Sequence, residues 1–382
     1  MRTLEHGRTA ETAVAALEAD VAALAAMTRD SAGEGERASA AWIAGRLREA
    51  GASDVRIEPY RGRGTFAGVH VALALTGLVA GRLPKRLGIP LTLAATAVLE
   101  ADGSGRRPAP GPTREGANVV ARIPAAGPRR GTLVVVAHHD ATRTGVTWDE
   151  RLHRPGAARR NRTRSIPPYL APAALALLGG RTRLGRAGLG LWLASGLHVA
   201  LGPTVPGAND NASGVAALLA LAARWAAAPL DGVEVVLVAP GSEESGMAGM
   251  RAFLAGTRLD PHSTLVLSLD TLGCGEPIVL EAEWAVLKAR YRPGDLALAD
   301  EGARLAGLPV PPRWTIGAWT DAVLARHAGL SAISLLSIGP EGRFTNYHLM
   351  SDTPERVDHD CVARCLRLAA GIGEAFAISR GR

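Results

Sequence analysis

The sequence predicts an α/β fold in which a mixed, mostly parallel central sheet is flanked by helices. Short apolar runs typical of buried strands alternate with longer stretches of helical periodicity. Polar residues that can bind metal directly follow several of these runs, as they do at the carboxyl ends of strands in an open sheet. With 382 residues and 47% hydrophobic content, the chain can form one domain with a substantial core.

The individual elements follow from the spacing of the apolar residues. Predicted strands cover 55–59, 118–123, 132–137, 233–239, 264–269 and 331–337. Predicted helices cover 10–28, 35–50, 213–228 and 358–378. Asp210, Asn211 and Ser213 are suitable capping residues for the start of the helix at 213.

Five short motifs supply imidazole or carboxylate groups where a strand should end or a loop should turn. They are His-His-Asp at 138–140, Gly-Ala-Asn-Asp-Asn-Ala-Ser-Gly at 207–214, Gly-Ser-Glu-Glu-Ser-Gly at 241–246, Leu-Asp-Thr-Leu-Gly at 269–273 and Asn-Tyr-His at 346–348. Zinc takes imidazole nitrogen and carboxylate oxygen as ligands. One such motif carries little information, but five together predict a metal centre.

A centre with two metal ions about 3.5–4 Å apart requires a ligand that reaches both, which carboxylate can do and neutral imidazole cannot. We therefore predict two divalent ions, most readily Zn²⁺, bridged by Asp210. In this prediction His138 and Glu244 hold one ion, and Asp270 and His348 hold the other. Without metal, carboxylates crowded this closely would repel one another and take up protons.

Two further acidic residues are predicted to act beside the ligands. Neighbouring side chains at a strand end point in different directions, so Glu243 can face the attacking water as general base while Glu244 binds metal. Asp140 stands two positions after His138 and can accept the second N–H of its ring, which fixes the ring's orientation. His139 is then expected to point away from the metals.

These motifs resemble those of the co-catalytic zinc aminopeptidases, a family related to glutamate carboxypeptidase-like proteins and glutaminyl cyclases. The family pattern is His-x-Asp after an apolar strand, Asp-Asn-Ala-Ser-Gly at a helix start, a Glu-Glu pair, a strand-end Asp, and Tyr-His followed by Ser-Asp-Thr. All are present here, and the resemblance covers about 10–60, 116–150 and 203–380. It implies a phosphorylase/hydrolase-like fold, a peptide or small amide substrate, and a role for Tyr347 in polarising the scissile carbonyl.

The predicted function is therefore removal of N-terminal residues from peptides by a dinuclear zinc enzyme. One alternative is a glutaminyl-cyclase-like acyltransferase, but that relative lacks the full second metal site, which His138 completes here. The other is a metal-dependent carboxypeptidase or deacylase, in which a dimerisation domain usually follows the Glu pair. The interval between Glu244 and Asp270 is too short for one. The sequence carries no indication of the oligomeric state.

Composition argues against nucleic acid as a partner and against a disulfide framework. The formal net charge is +7, but of 43 basic residues only Lys85 and Lys288 are lysine. Such a skew indicates arginine-rich coding rather than a selected basic surface. The cysteines are odd in number, and Cys361 and Cys365 lie four apart on a predicted helix, where a disulfide is unfavourable.

Two insertions, within 62–104 and 150–205, interrupt the single catalytic domain predicted for 1–382. Each is predicted to form an apolar helical hairpin with a basic tip. Apolar runs without charged residues cover 64–81, 89–99, 166–180 and 189–202, and the basic links between them lie at 82–86 and 181–186. The second insertion leaves the chain after Asp140 and returns before Asp210. It is therefore expected to rise from the rim of the active site.

Three interpretations of these hairpins are open: short or tilted membrane spans, shallow insertion in the membrane plane, and a soluble helical cap. A spanning helix needs about 20 apolar residues, more than these runs supply. We favour membrane association through 64–101 and 166–202. The catalytic domain is then expected in the cytoplasm, because six arginines in 151–164 flank the second hairpin and 1–20 lacks a signal-peptide core. A soluble cytoplasmic protein is the alternative.

Overall fold

The computed structural model describes residues 2–168, 171–284 and 287–381. The strands in chain order are β1 Ser53–Gly62, β2 Arg114–Ile123, β3 Ala126–Val136, β4 Ser165–Ile166, β5 Asp231–Ala239, β6 Thr264–Leu269, β7 Glu276–Glu283, β8 Ala289–Arg290, β9 Arg313–Ile316 and β10 Ser331–Ile338. The helices are α1 Arg2–Ala25, α2 Glu34–Glu49, α3 Ala67–Ala80, α4 Lys85–Gly103, α5 Glu150–His153, α6 Ala157–Thr163, α7 Ala171–Leu178, α8 Arg183–Leu201, α9 Ser213–Ala227, α10 Ala248–Gly256, α11 Pro293–Leu305, α12 Asp321–His327 and α13 His359–Gly381. Short helical turns lie at Val146–Trp148, Ala208–Ala212 and Pro354–Arg356.

The described strands form one sheet in the order β1-β2-β5-β3-β6-β10-β7-β9-β4, with β8 paired to β7. Parallel pairing joins β5, β3, β6 and β10 in the centre and β7, β9 and β4 at one edge. Antiparallel pairing joins β1 to β2, β2 to β5, β10 to β7 and β7 to β8. The predicted α/β class is confirmed, but the sheet is more evenly mixed than the prediction of a mostly parallel one.

The central strands are buried on both faces because helices cover the sheet on each side. In β3, Leu133 and Val135 join one hydrophobic core, and Val134 and Val136 join the other. Side chains alternate in this way along any strand, so a strand between two helical layers is apolar throughout. Helices α1, α2, α9, α11 and α13 contribute to the first core, and α10 and α12 to the second. The cysteines are all buried and free of disulfides.

The two insertions form helical pairs that pack on each other beside the sheet. Helices α3 and α4 belong to the first, and α7 and α8 to the second. Their small shared core includes Leu73, Leu99, Leu177 and Leu189. A Cβ atom on Gly77 would lie 2.8 Å from Leu177 and 2.9 Å from Leu189, so only glycine lets α3 approach this closely. Within the predicted run 166–180, residues 169 and 170 lie outside the described part of the chain.

The outer face of this helical layer leaves apolar side chains exposed, among them Leu184 and Leu201, each 84% accessible. No helix in the described ranges is both long and apolar enough to cross a membrane. Helices α3 and α7 have only 14 and 8 residues, against the about 20 that a span requires. The favoured prediction of membrane spans is therefore not supported. Association with a membrane through 64–101 and 166–202 stays a prediction.

Candidate metal centre

The five predicted ligands lie together at the carboxyl edge of the central parallel strands. His138 follows β3, Glu244 follows β5, Asp270 directly follows β6, and His348 lies in the loop after β10. Asp210 lies in the turn that leads into α9. Neighbouring parallel strands end at the same edge of a sheet, and this is where open α/β sheets place their sites.

The ligand atoms form two groups that share one carboxylate. Asp210 Oδ1 lies 3.3 Å from His138 Nε2, which in turn lies 3.9 Å from Asp270 Oδ1. Asp210 Oδ2 lies 3.1 Å from His348 Nε2, which is also 3.1 Å from Glu244 Oε2. Within each group the candidate ligand atoms lie within 4.8 Å of one another.

This grouping corrects the one predicted from the sequence. His138 was expected to share an ion with Glu244, and Asp270 with His348. The structure instead places His138 with Asp270, and His348 with Glu244. The loop that carries His348 brings its ring to Glu244, although these residues follow strands that are not neighbours in the sheet. The shared position of Asp210 agrees with the predicted bridge.

The donor set fits divalent cations. The five side chains are nearly or fully buried, with at most 7% of each residue exposed. Among the described residues, no hydrogen-bond partner exists for Glu244 Oε1, His138 Nδ1 or either ring nitrogen of His348. Buried polar atoms normally have a partner, and imidazole nitrogen with carboxylate oxygen is the ligand chemistry of zinc. Glu244 Oε1 and His348 Nε2 are therefore placed for metal ligation, whereas His138 Nδ1 faces Asp140.

The acidic groups also indicate a missing positive charge. Burial raises the pKa of Asp270 to about 6 and of Glu244 to about 7, and it raises the pKa of Glu243 well above its usual value. Repulsion from nearby carboxylates adds to this effect, Asp210 acting on both Glu244 and Asp270. Carboxylates forced together in a buried site either take up protons or bind cations.

The two imidazoles show the complementary shift. Burial alone would lower the pKa of His348, but Glu244 and Asp210 outweigh it and raise the pKa to about 9. The pKa of His138 is likewise raised, because Asp140 and Asp210 overcome the effect of burial. Burial would raise the pKa of Asp210, but its contacts with both rings hold it below the usual value. Positive charge is thus favoured at both ends of the Asp210 carboxylate.

Asp140 lies beneath the His138 ring, as its sequence spacing suggested. Its Oδ1 is 3.5 Å from His138 Nδ1 and accepts a 3.0 Å hydrogen bond from the Glu243 backbone N–H. Its Oδ2 accepts a 2.7 Å hydrogen bond from the Ser31 hydroxyl. His139 turns to the other side, where its ring nitrogens contact the Ser39 hydroxyl and the Ala117 carbonyl. Asp140 therefore links the position of His138 to the loop that carries Glu243.

Two buried residues that the sequence reasoning did not assign to the site hold the Asp210 turn. Asp352 accepts hydrogen bonds from the backbone N–H groups of Asn209 and Asp210, at 2.9 and 3.1 Å. Arg29 donates to the carbonyls of Gly207 and His139, at 2.8 and 2.9 Å. Asp352 belongs to the Ser-Asp-Thr sequence after His348, and this motif could have identified it as part of the site. No sequence feature identified Arg29, because an arginine at a helix end is usually solvated.

The ligand loops contain non-glycine residues in the left-handed backbone region. The φ angles are 54° at Ser242, 52° at Thr271 and 58° at His348. Such conformations store strain and concentrate at functional sites. Buried contacts support them: Glu36 accepts from the Ser242 backbone N–H at 3.0 Å, and the Thr271 N–H donates to Asn211 Oδ1 at 3.0 Å.

A cavity opens over the ligands. Glu243, Glu244 and His348 form its polar side, and the aromatic rings of Phe66, Trp148, Trp284, Trp319 and Tyr347 form much of the rest. Tyr347 stacks on the His348 ring with centroids 3.7 Å apart, and Trp148 meets the same ring edge-on at 4.2 Å. The sequence reasoning missed Phe66, which lies in the first insertion, and Trp148, which lies just before the second.

Two acids outside the five motifs also lie near the centre. Asp321 is buried at the start of α12, and burial raises its pKa to about 8. It repels Glu243 electrostatically. Glu283 at the end of β7 is buried too; burial raises its pKa to about 8, and its carboxylate accepts from the Thr320 backbone N–H. Both acids act electrostatically on the site, but neither lines the cavity.

Fold and site together define an α/β protein with two adjacent groups of candidate metal ligands that share Asp210. Residues 194–372 match peptidase family M28, and this segment contains four of the five motifs. This match confirms the resemblance drawn from the motifs. The predicted class of enzyme, a metallopeptidase, is confirmed with it. No curated protein matches the chain in a sequence comparison.

Solved structures of similar fold cover nearly the whole chain. An aminopeptidase from Aneurinibacillus sp. strain AM-1 is 16% identical, with a TM-score of 0.57 over 95% of this chain and 92% of its own. A Zn-dependent exopeptidase from Parabacteroides distasonis is 13% identical, with a TM-score of 0.58 over 94% and 97%. A glutaminyl cyclase from Bacteroides thetaiotaomicron is 14% identical, with a TM-score of 0.57 over 96% and 97%. At these identities the comparisons establish the shared fold.

Proposed function

We propose that this protein is an aminopeptidase with a dinuclear zinc centre. The observation that carries the proposal is the pair of ligand groups, His138–Asp210–Asp270 and Asp210–Glu244–His348, joined by one carboxylate. Two ions held a few ångströms apart need such a bridge. The similar structures named as zinc-dependent exopeptidase and aminopeptidase support the choice of metal and reaction.

The protein residues have distinct roles in the proposed hydrolysis. When bound, the ions would lower the pKa of a coordinated water and polarise the scissile carbonyl. Glu243 lines the cavity next to Glu244 but is not part of either ligand group. It takes the proton of the attacking water and delivers it to the leaving amine. Asp140 orients His138, and the Tyr347 hydroxyl stabilises the developing oxyanion.

The shape of the cavity favours an exopeptidase over an enzyme that cuts within chains. Phe66 from the first insertion and Trp148, just before the second, close one side of it, and Trp284 and Trp319 line it as well. A pocket closed on one side accommodates the end of a substrate, but an extended chain passing in both directions would need an open cleft. The substrate class is therefore a small peptide or amide presented by one end.

The alternative function is glutaminyl cyclisation, supported by the similar glutaminyl cyclase structure. Cyclisation joins the amine of the substrate to its own side chain and needs no attacking water. The present centre has a complete second ligand group in His138 and Asp270 and a free carboxylate at Glu243, both suited to hydrolysis. These features favour the peptidase over the cyclase. A carboxypeptidase or deacylase would differ from an aminopeptidase in the end of the substrate that it recognises.

The test combines metal analysis with three substrates. The purified protein is loaded with zinc, and its metal content is measured by elemental analysis after dialysis. We expect two zinc ions per chain and hydrolysis of leucine p-nitroanilide, with no turnover of N-acetyl-leucine p-nitroanilide and no cyclisation of a glutaminyl peptide. One zinc ion with cyclisation of the glutaminyl peptide would establish the cyclase instead. Turnover of only the blocked substrate would establish a deacylase.

A further inference from the structure

A second cavity, of about 530 Å³, lies beside the catalytic one. It is formed by α3, α7 and α8 together with the turn Val146–Trp148. The two cavities share Phe66, His70 and Trp148 as a common wall. The insertions therefore do more than cover the site, because they enclose a space that adjoins the reacting centre.

The lining of this cavity is almost entirely apolar. Among its described lining residues there is no Asp, Glu, Lys or Arg, and Leu152, Pro172, Leu191 and Val199 are typical members. Burial lowers the pKa of His70 to about 4, so this ring is uncharged at neutral pH. A peptide segment here would leave most of its N–H and C=O groups without partners, at a cost that a hydrocarbon chain does not incur.

The common wall joins the cavity to the metal ligands through ring contacts. Trp148 meets the His348 ring with centroids 4.2 Å apart, and Phe66 meets Trp148 at 6.2 Å. On the far side His70 contacts Trp192 of α8 at 5.6 Å. The two cavities therefore adjoin at this wall, and an occupant of the second lies beside His348 and the other candidate ligands. This adjacency indicates that the occupant is part of the substrate.

Polar contacts hold the wall in position relative to the site. The Val146 backbone N–H donates to His198 Nδ1 of α8 at 3.1 Å, which ties the Trp148 turn to the second insertion. Arg63 pairs with Asp102 at 2.9 Å across the base of the first insertion and donates to the Ser245 carbonyl at 2.9 Å. The cavity is therefore preformed. Its rim is open, since Leu191 is 73% exposed.

We propose that this second cavity, the insertion groove, binds the hydrocarbon chain of an amphiphilic amide whose amide group lies at the metal centre. The inference rests on the proposed metallopeptidase function and specifies its substrate class. The groove supplies apolar surface without charge, and the shared aromatic wall directs the chain toward His348. The scissile bond, the attacking water and the leaving amine are those of the hydrolysis described above, so the chemistry is unchanged.

The test measures binding of straight-chain alkyl hydroxamic acids of increasing length to the zinc-loaded protein by calorimetry, below their micelle-forming concentrations. The hydroxamate anchors at the metals, and the chain extends from them. Chains that stay within the catalytic cavity give the baseline. Longer chains that enter the groove are expected to gain roughly twofold to fourfold in affinity per methylene, since each buried methylene contributes that much to transfer from water.

Variants on α8 locate the effect in the groove. Ser195 lines the groove, and Ser195→Trp is expected to remove the gain of long over short chains. Leu191→Asp places a charge at the exposed rim, where the fold tolerates it, and is expected to reduce the same ratio. Gly190→Trp is the matched control, because a side chain there meets nothing within 4 Å and lies outside the groove. Its ratio of long-chain to short-chain affinity should equal that of the unaltered protein.

The outcomes separate the groove from the proposed function. Affinity that does not change with chain length overturns the groove, even where leucine p-nitroanilide is hydrolysed. A length-dependent gain that survives both Ser195→Trp and Leu191→Asp also overturns it, since the chain then lies elsewhere. A gain that both variants remove, in a zinc-loaded protein that hydrolyses none of the test amides, supports the groove and overturns the peptidase.

Discussion

The carboxyl edge of the sheet and the inserted helical layer meet in one cavity but have opposite chemistry. At the sheet edge, Glu243, Glu244 and Asp270 are buried within a few residues of strand ends, and Asp210 is buried in the turn before α9. The apolar runs of the inserted layer contain no acidic residue, and the links at 82–86 and 181–186 that join them are basic. The buried carboxylates of the first region need compensating positive charge, whereas the second region is held together by apolar contact. In the functions proposed above, the first region performs the reaction and the second selects the shape of the substrate.

The two regions also differ in how their residues are held and in how much apolar surface they expose. The ligand loops are held by buried hydrogen bonds, such as that from Glu243 N–H to Asp140. The inserted layer has a small core of its own and an outer face on which large apolar residues are exposed. Loss of metal should therefore affect the first region strongly and the second hardly at all.

Removal of metal is expected to have the largest effect. Dialysis against a chelator should abolish hydrolysis and destabilise the fold, because buried carboxylates then repel one another. A ligand present at a thousandfold excess over its Kd contributes about 4 kcal/mol to folding stability. Differential scanning calorimetry with and without zinc measures this. Far-ultraviolet circular dichroism should show that the helices persist, and equal melting temperatures for both forms would contradict a metal-dependent centre.

Glu243→Gln is expected to be nearly as damaging to activity but harmless to metal binding. Without the carboxylate no group accepts the water's proton, so kcat should fall by ~10²–10⁴. The neighbouring substitution Glu244→Gln is the matched comparison, because it removes a ligand and should lower the zinc content. Elemental analysis and kcat are measured for both. Loss of zinc from the Glu243→Gln variant would show that Glu243 is a metal ligand. Full activity of this variant would show that Glu243 is not the general base.

The sequence predicts the central part of this fold well because the signals there are local. Six predicted strands and all five motifs appear where apolar runs and strand-end residues indicated, and β6 has the predicted bounds of 264–269. Strands β7 and β9, which lie between β10 and the edge strand β4, were missed. In β7, Pro277 and three glutamates interrupt the apolar pattern, although most of its residues are buried. Their burial depends on neighbours distant in sequence.

The grouping of ligands was predicted wrongly for a related reason. Residue types and order show which side chains bind metal, but the partners of Glu244 depend on how far the loop carrying His348 reaches across the sheet edge. The backbone is left-handed at His348 in this loop and at Ser242 in the loop of Glu244, where Glu36 accepts from the Ser242 N–H. The aromatic wall escaped prediction likewise, since Phe66 lies in an insertion and Trp148 belongs to none of the five motifs.

Metal binding should depend on pH in a direction that the shifted groups specify. In the metal-free protein burial raises the pKa of Glu244 to about 7 and of Asp270 to about 6, and acidic neighbours raise that of His348 to about 9. Below these values the groups hold protons that metal must displace. Zinc affinity should therefore rise with pH, by up to about tenfold per unit for each proton released. Calorimetry in buffers of different ionisation enthalpy counts these protons, and a count of zero would contradict the ligand set.

Trp148→Ala should have the smallest effect and is the most direct test of the boundary between the two regions. The ring contacts His348 and separates the two cavities, but it is not a ligand. An aromatic pair contributes about 0.5–1.5 kcal/mol, so KM for leucine p-nitroanilide should rise by roughly twofold to twelvefold with little change in kcat. Trp42→Ala on α2, which lines neither cavity, is the control. A fall in kcat with unchanged KM would place Trp148 with the catalytic region instead of the wall.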